Sequence, residues 1–219
     1  MPALMIWPQT VIPAVSVPRE IRFTIMAKNI GVIWMNQSQA VYNLASVLLQ
    51  YPSSEWKDYL PDLHSEADSL DDKQIAASLK KFLDYLDSTA YENLCQNYVL
   101  TFDFNERCTL YLTYSVFKDN RERGPALVKL RQEFKEAGAE LESDELPDYL
   151  PLILEFAAIT EPEKSAKLLK LHFRSIERLS LELEALNSPY HFLLAACVDC
   201  IKKLRTSDTI GSSDERRII

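Results

Sequence analysis

The sequence predicts an all-α fold, a single helical bundle domain of about nine helices with antiparallel neighbours. Three observations carry that reading. Apolar residues recur at spacings of three and four along most of the 219-residue chain. Alternating strand-like patterns bounded by turn residues are scarce after Met35. Glycine is rare: only Gly31, Gly124, Gly138 and Gly211 could serve hairpin turns or phosphate-cradling loops. With 47% hydrophobic and 26% charged residues, the chain has enough apolar content to bury one core, and no fixed-period repeat suggests a solenoid.

The elements follow in order. The first helix is expected over 38–50, with Val41, Leu44, Ala45 and Leu48 on one face, and stops before Pro52. The second starts at Ser53 or Ser54, carries Trp56, Tyr59 and Leu60, and is kinked or ended by Pro61. Asp71 or Asp72 caps the third, in which Ile75, Leu79, Phe82, Leu83 and Leu86 form an apolar stripe. Ser88 caps the fourth, which reaches about Phe102. Further helices are expected over 106–118, 122–137, 149–160, 162–186 and 189–205. The helical domain is therefore placed at 35–205, with 206–219, polar and charged, as a flexible tail. In 1–34, prolines 2, 8, 13 and 18 interrupt the apolar residues, and no basic segment precedes them as a signal peptide requires. We read 1–34 as an extension, non-native or disordered, because Met35-Asn-Gln-Ser-Gln looks like a natural start.

Charge narrows the function. A formal net charge of −8, without lysine and arginine runs interleaved with aromatics, argues against nucleic acid and favours basic partners. No uninterrupted apolar run reaches about 18 residues, so no membrane-spanning helix is expected. Cys95, Cys108, Cys197 and Cys200 are read as reduced thiols of a cytoplasmic protein.

Catalytic chemistry finds little support. His64, His172 and His191 are isolated and stand in no familiar spacing, which leaves them as surface or satisfied core residues. Cys197 and Cys200 form a C-x-x-C inside an expected helix, so both thiols share a face. They are either small buried residues or a metal or redox pair, but a structural zinc needs four ligands and no second pair is present. No catalytic residue, metal ligand or cofactor is assigned.

The informative stretch runs from Tyr98 to Ala158. It holds a dense aromatic series, Phe102, Phe104, Tyr111, Tyr114 and Phe117, that can serve helix packing or binding. Arg121, Glu122, Arg123 and Gly124 open a helix, where a cation opposes the macrodipole; Arg121 or Arg123 is expected to have a carboxylate partner or a ligand, or to lie in a solvated turn. In Glu145-Leu-Pro-Asp-Tyr-Leu-Pro-Leu-Ile-Leu-Glu-Phe156, Asp148 as N-cap would put Pro151 at the third helical position, where its missing N–H costs nothing. Glu155 would then lie about 20° from Asp148 around the helix, giving an acidic edge beside Leu152, Phe156 and Ile159. That arrangement suits either core packing or an amphipathic peptide with a basic end.

On these residues the chain resembles the NarJ-type nitrate reductase assembly chaperones, a branch of the redox-enzyme maturation chaperones. The resemblance rests on TFDF at Thr101–Phe104, LYLTY at Leu110–Tyr114, RERG at Arg121–Gly124, AG at Ala137–Gly138 and ELPDYLPLILEF at Glu145–Phe156. It implies an all-helical chaperone, not an enzyme, that binds the N-terminal segment of the apo catalytic (alpha) subunit of a respiratory nitrate reductase. Such a chaperone promotes molybdenum cofactor insertion, delays membrane docking and leaves the mature enzyme. The expected peptide-binding residues are Tyr114, Arg121, Arg123, Asp148, Tyr149, Glu155 and Phe156, with Glu155 meeting a cation of the client and Phe156 an apolar group. A monomer or weak homodimer is expected.

Two other classes stay open at this point. A helical adaptor would remain in the mature complex, whereas a chaperone departs. A metal-dependent helical hydrolase would bring three or more ligands together at one site.

Overall fold

A computed structural model describes the backbone of residues 25–27, 36–141 and 145–214 and the side chains of 36–139, 141 and 145–204. Among the described residues there are nine α-helices and one two-stranded ribbon, so the all-α reading holds with a small addition. The expectations for 1–24, 28–35 and 215–219 lie outside the described residues.

Helix α1 (Gln37–Leu48) begins with a capping box, in which the Asn36 side chain accepts from the Gln39 N–H and Gln39 reaches back to the Asn36 N–H. It is buried on nearly all sides and packs on α7 (Leu150–Ile159) and α9 (Tyr190–Asp214). The Gln39 amide donates to the Thr160 carbonyl at 2.9 Å, tying the start of α1 to the end of α7. Helices α2 (Trp56–Ser69) and α3 (Lys73–Ser88) form the next pair. Pro61 neither ends nor limits α2, because it and Lys57, whose carbonyl it leaves without an amide donor, both lie on the exposed side where water can serve. Asp72 caps α3 as expected, accepting from the N–H groups of Gln74 and Ile75, and also pairs with Lys203 of α9.

Ser88 does not cap α4 (Tyr91–Tyr98); it ends α3, with its hydroxyl donating to the Asp84 carbonyl. Helix α4 then widens into a π segment, Val99–Asp103, closed by the Phe104 N–H on the Val99 carbonyl at 3.1 Å. The helix expected over 106–118 is absent. A 3-10 turn, Glu106–Cys108, an extended stretch and the short α5 (Tyr114–Phe117) replace it, because the backbone of 110–112 is drawn into pairing with 148–150.

Helix α6 (Arg123–Glu136) ends at Gly138, whose φ of +84° turns the chain into strand β2 (Ala139–Leu141). Strand β2 pairs antiparallel with β1 (Ile25–Ala27), Met26 opposite Glu140. The last pair, α8 (Pro162–Ala185) and α9, is joined by 186–189. There Asn187 takes a φ of +51°, and the Ser188 N–H bonds back to the Leu183 carbonyl at 2.9 Å, a Schellman reversal that lays α9 antiparallel along α8. Helix α9 runs past 205 to Asp214, into the segment read as a tail.

Helix α2 also carries a buried acid. Glu66 is 6% exposed, with one carboxylate oxygen lacking a hydrogen-bond partner among the described residues, and burial pushes its pKa up to about 7. The folded state therefore holds a proton that the unfolded chain releases above its ordinary value of 4.5, so stability falls as pH rises from there to about 7 and levels off above. The expected loss is up to about 3 kcal/mol across that window, and Glu66→Gln should remove it. Urea midpoints of both proteins at pH 5 and pH 8 check this; parallel pH dependence would contradict it.

Candidate functional site

The site grows from the crossing of two extended backbones. The Leu112 N–H donates to the Asp148 carbonyl at 3.0 Å and the Leu150 N–H to the Leu110 carbonyl at 2.8 Å, which sets Tyr111 opposite Tyr149. Asp148 is thereby brought beside Thr113. It does not cap α7; that place falls to Tyr149, which puts Pro151 one position earlier than expected, still within the first turn.

On one side of the crossing, Asp148 is fully buried and collects three donors on one oxygen. These are the Thr113 N–H at 3.1 Å, the Thr113 hydroxyl, and the Arg123 guanidinium at 3.3 Å. Arg123 also donates through Nε to the Thr113 hydroxyl oxygen at 3.1 Å, and its guanidinium lies 5.5 Å from the Tyr114 ring centre. Lys118 approaches the same ring at 5.3 Å. Of the two arginines expected to have a carboxylate partner, the fold selects Arg123; Arg121 stays exposed. Tyr114 and Arg123 are thus a half-exposed pair held from behind by Asp148.

On the other side, four tyrosines run across the molecule. Tyr111 and Tyr149 rings lie 5.3 Å apart, Tyr149 and Tyr98 hydroxyls 3.4 Å apart, and Tyr98 and Tyr51 rings 5.5 Å apart. The Tyr111 hydroxyl donates to Glu145 at 3.0 Å. Burial, then the Glu145 carboxylate, pushes Tyr111 up; burial raises Tyr149 and Tyr98, with Asp103 a smaller contributor to each. The π segment presents Leu100, 57% exposed, and Phe104 after it, 80% exposed, while Tyr51 is 53% exposed. The result is a tyrosine row exposed at Tyr51, with the carboxylates of Asp103 and Glu145 beside it and two exposed apolar residues in and after the adjoining π segment, features of a kind associated with binding rather than bond making.

Three expected site residues are not on this surface: Asp148 is fully buried behind Arg123, and Glu155 and Phe156 also lie inside. Glu155 and Phe156 are 3% and 2% exposed, and Phe156 stacks on Phe134 with ring centres 4.6 Å apart. Helix α7 is apolar on every side, and such a helix is enclosed. The acidic edge beside an apolar stripe therefore faces the interior, and charge reversal at Glu155 would disturb the core rather than a binding surface. Conversely, Tyr51, Tyr98, Asp103 and Glu145 were not among the expected site residues; Tyr51 lies 47 positions before Tyr98, and only folding joins them.

Cys197 and Cys200 are buried, with burial pushing Cys200 to about 12 and Cys197 well up, which suits packing and not redox exchange. Burial lowers His172, opposed by the Asp148 and Glu133 charges. Among the described residues no group of three or more His, Cys, Asp or Glu could hold a metal ion, and no helix is long and apolar enough to cross a membrane.

Comparison with known proteins identifies the family. The family model of the nitrate reductase delta subunit matches residues 67–195. The chain is 36% identical over 162 residues to the probable nitrate reductase molybdenum cofactor assembly chaperone NarJ of Bacillus subtilis, covering 72% of this chain and 88% of that protein. It is 29% identical over 178 residues to the NarJ chaperone of Escherichia coli K12, covering 80% and 75%. It is also 33% identical over 172 residues to the nitrate reductase-like protein NarX of Mycobacterium tuberculosis H37Rv, covering 78% of this chain and 25% of that protein. The chain belongs to the nitrate reductase delta-subunit family, as a NarJ-type molybdenum cofactor assembly chaperone and not an enzyme.

Proposed function

We propose that the chain acts in the cytoplasm as a monomer or weak homodimer, holding the N-terminal segment of the apo catalytic subunit of a respiratory nitrate reductase. By binding only the immature subunit, it keeps that subunit open to molybdenum cofactor insertion and lowers the population able to dock at the membrane. The observation that carries the reading is the row of Tyr51, Tyr98, Tyr149 and Tyr111, exposed at Tyr51, with Asp103 and Glu145 beside it and with Leu100 and Phe104 exposed in and after the adjoining π segment. Apolar residues of an amphipathic segment would cover the rings and its basic end would meet the two carboxylates. Tyr114, Arg121 and Arg123 would add a cationic patch on the other side of the crossing, with Asp148 positioning Arg123 and with Glu155 and Phe156 supporting α7 from within.

Calorimetric titration of the full chain with a peptide spanning the N-terminal segment of the cognate catalytic subunit tests this, beside a scrambled peptide. Saturable binding of the native peptide alone is expected; equal binding of both, or of neither, would overturn the reading. The double variant Tyr51→Ala/Phe104→Ser should bind at least about tenfold more weakly, the loss of two partly exposed anchors, while melting near the wild-type temperature. Unchanged affinity would remove these residues from the site.

A further inference from the structure

Helix α8 buries one face, with Leu169, Phe173 and Ile176 toward the core. Its opposite face is unlike the rest of this acidic chain. Lys167, Lys170, Leu171, Arg174, Arg178 and Leu181 fall within an arc of about 100° and a length of about 21 Å. Between 164 and 185 no aspartate or glutamate enters that arc. Leu171 and Leu181 are 63% and 59% exposed.

Two neighbouring acids already pair with lysines, Lys170 is itself engaged, and Glu163 in the first turn and Glu182 beside Arg178 border the stripe. Glu177, just outside the arc, pairs with Lys202 of α9 at 3.1 Å, and Glu133 of α6 approaches Lys167 only at 3.7 Å, leaving that lysine 75% exposed. Arg174 and Arg178 have no ion-pair partner among the described residues. On a chain of net charge −8, this face carries an excess of the opposite sign, with leucines among its cations.

We infer that the outward face of α8 docks on the surface of an anionic phospholipid bilayer. Long cationic stems can hold their heads at the level of the phosphates while Leu171 and Leu181 enter the boundary beneath them. A single exposed helix is a convex ridge, which a fluid headgroup layer accommodates without a matching groove. Among the described residues, two cavities of about 300 and 50 Å³ lie elsewhere, one along α2 and α3 and one between α1, α3 and α9. The face is distinct from the tyrosine surface and independent of the client assignment.

The test is co-sedimentation of the full chain with sucrose-loaded vesicles of phosphatidylglycerol and phosphatidylcholine in equal parts, beside pure phosphatidylcholine. Partition to the anionic vesicles alone is expected, falling as salt is raised from 50 to 500 mM. Arg174→Glu/Arg178→Glu should lower the partition at least about tenfold, whereas Lys57→Glu on the exposed side of α2 should leave it nearly unchanged. Absence of partition, equal partition to neutral vesicles, or an undiminished double variant would overturn the proposal. Titration of the double variant with the client peptide keeps the two sites apart: unchanged peptide affinity is expected, and a parallel loss would assign the stripe to the client instead.

Discussion

Replacing Asp148 by alanine is expected to lower the free energy of unfolding by about 3–5 kcal/mol. The carboxylate is fully buried, and its loss strands the Thr113 N–H and hydroxyl and leaves the Arg123 guanidinium without its acidic partner. Loss of one partner costs more than the pair contributes, because the remaining donors are removed from water with nothing to bind. The damage should spread to the Leu110–Leu112 crossing, since Asp148 holds that segment through both its side chain and its carbonyl. Equilibrium denaturation in guanidinium chloride measures the effect. A loss below about 1 kcal/mol would contradict the role given to this residue. Arg123→Lys separates charge from shape: it keeps the cation but loses the two-point contact with Thr113 and Asp148, and should recover only part of the stability.

Phe156→Ala is expected to cost about 3–5 kcal/mol, the sum of lost transfer energy and the cavity left behind. Phe156 stacks on Phe134, which is itself fully buried, so the hole would open between α6 and α7. Surroundings that cannot collapse give the upper part of that range, and α7 is enclosed on every side. Thermal melting with far-ultraviolet dichroism checks it. A variant as stable as wild type that loses client binding would instead return Phe156 to the surface.

The way these two residues failed as surface candidates explains what was legible in the sequence. Apolar periodicity located α1, α3, α6, α7 and α8 within a few residues, and the start but not the end of α9, because each buries helix-spaced apolar residues. It could not distinguish an enclosed helix from an amphipathic one in Leu150–Ile159, where Glu155 is the single charged residue and invites a surface reading. Local chemistry predicted the Asp72 cap but misassigned Asp148, since an aspartate before a helix can cap it or can be captured by a distant donor. Here Thr113, 35 residues away, captured it. The same capture dissolved the helix expected over 106–118: its apolar spacing was helical, but pairing with 148–150 outweighed local propensity. The short ribbon joining Ile25–Ala27 to Ala139–Leu141 carries no periodic signal of its own, since three residues are too few for alternation to register.

The proposed binding face is half legible in the sequence. Tyr114, Arg123, Asp148 and Tyr149 stand in motif segments and do meet around one crossing. Tyr51 and the exposed π segment could not be read, because their place beside Tyr149 depends on how α1 and α4 leave the core. A π segment marks a backbone held open against its own hydrogen-bond pattern, and such segments are common at functional sites.

Amide hydrogen exchange of the full chain, with and without the N-terminal peptide of the cognate catalytic subunit, bears most directly on the central claim. The account predicts added protection in 98–104, 110–114 and 145–149, with α2 and α3 unchanged. Protection confined to α2 and α3, or no change with peptide in saturating excess, would contradict it.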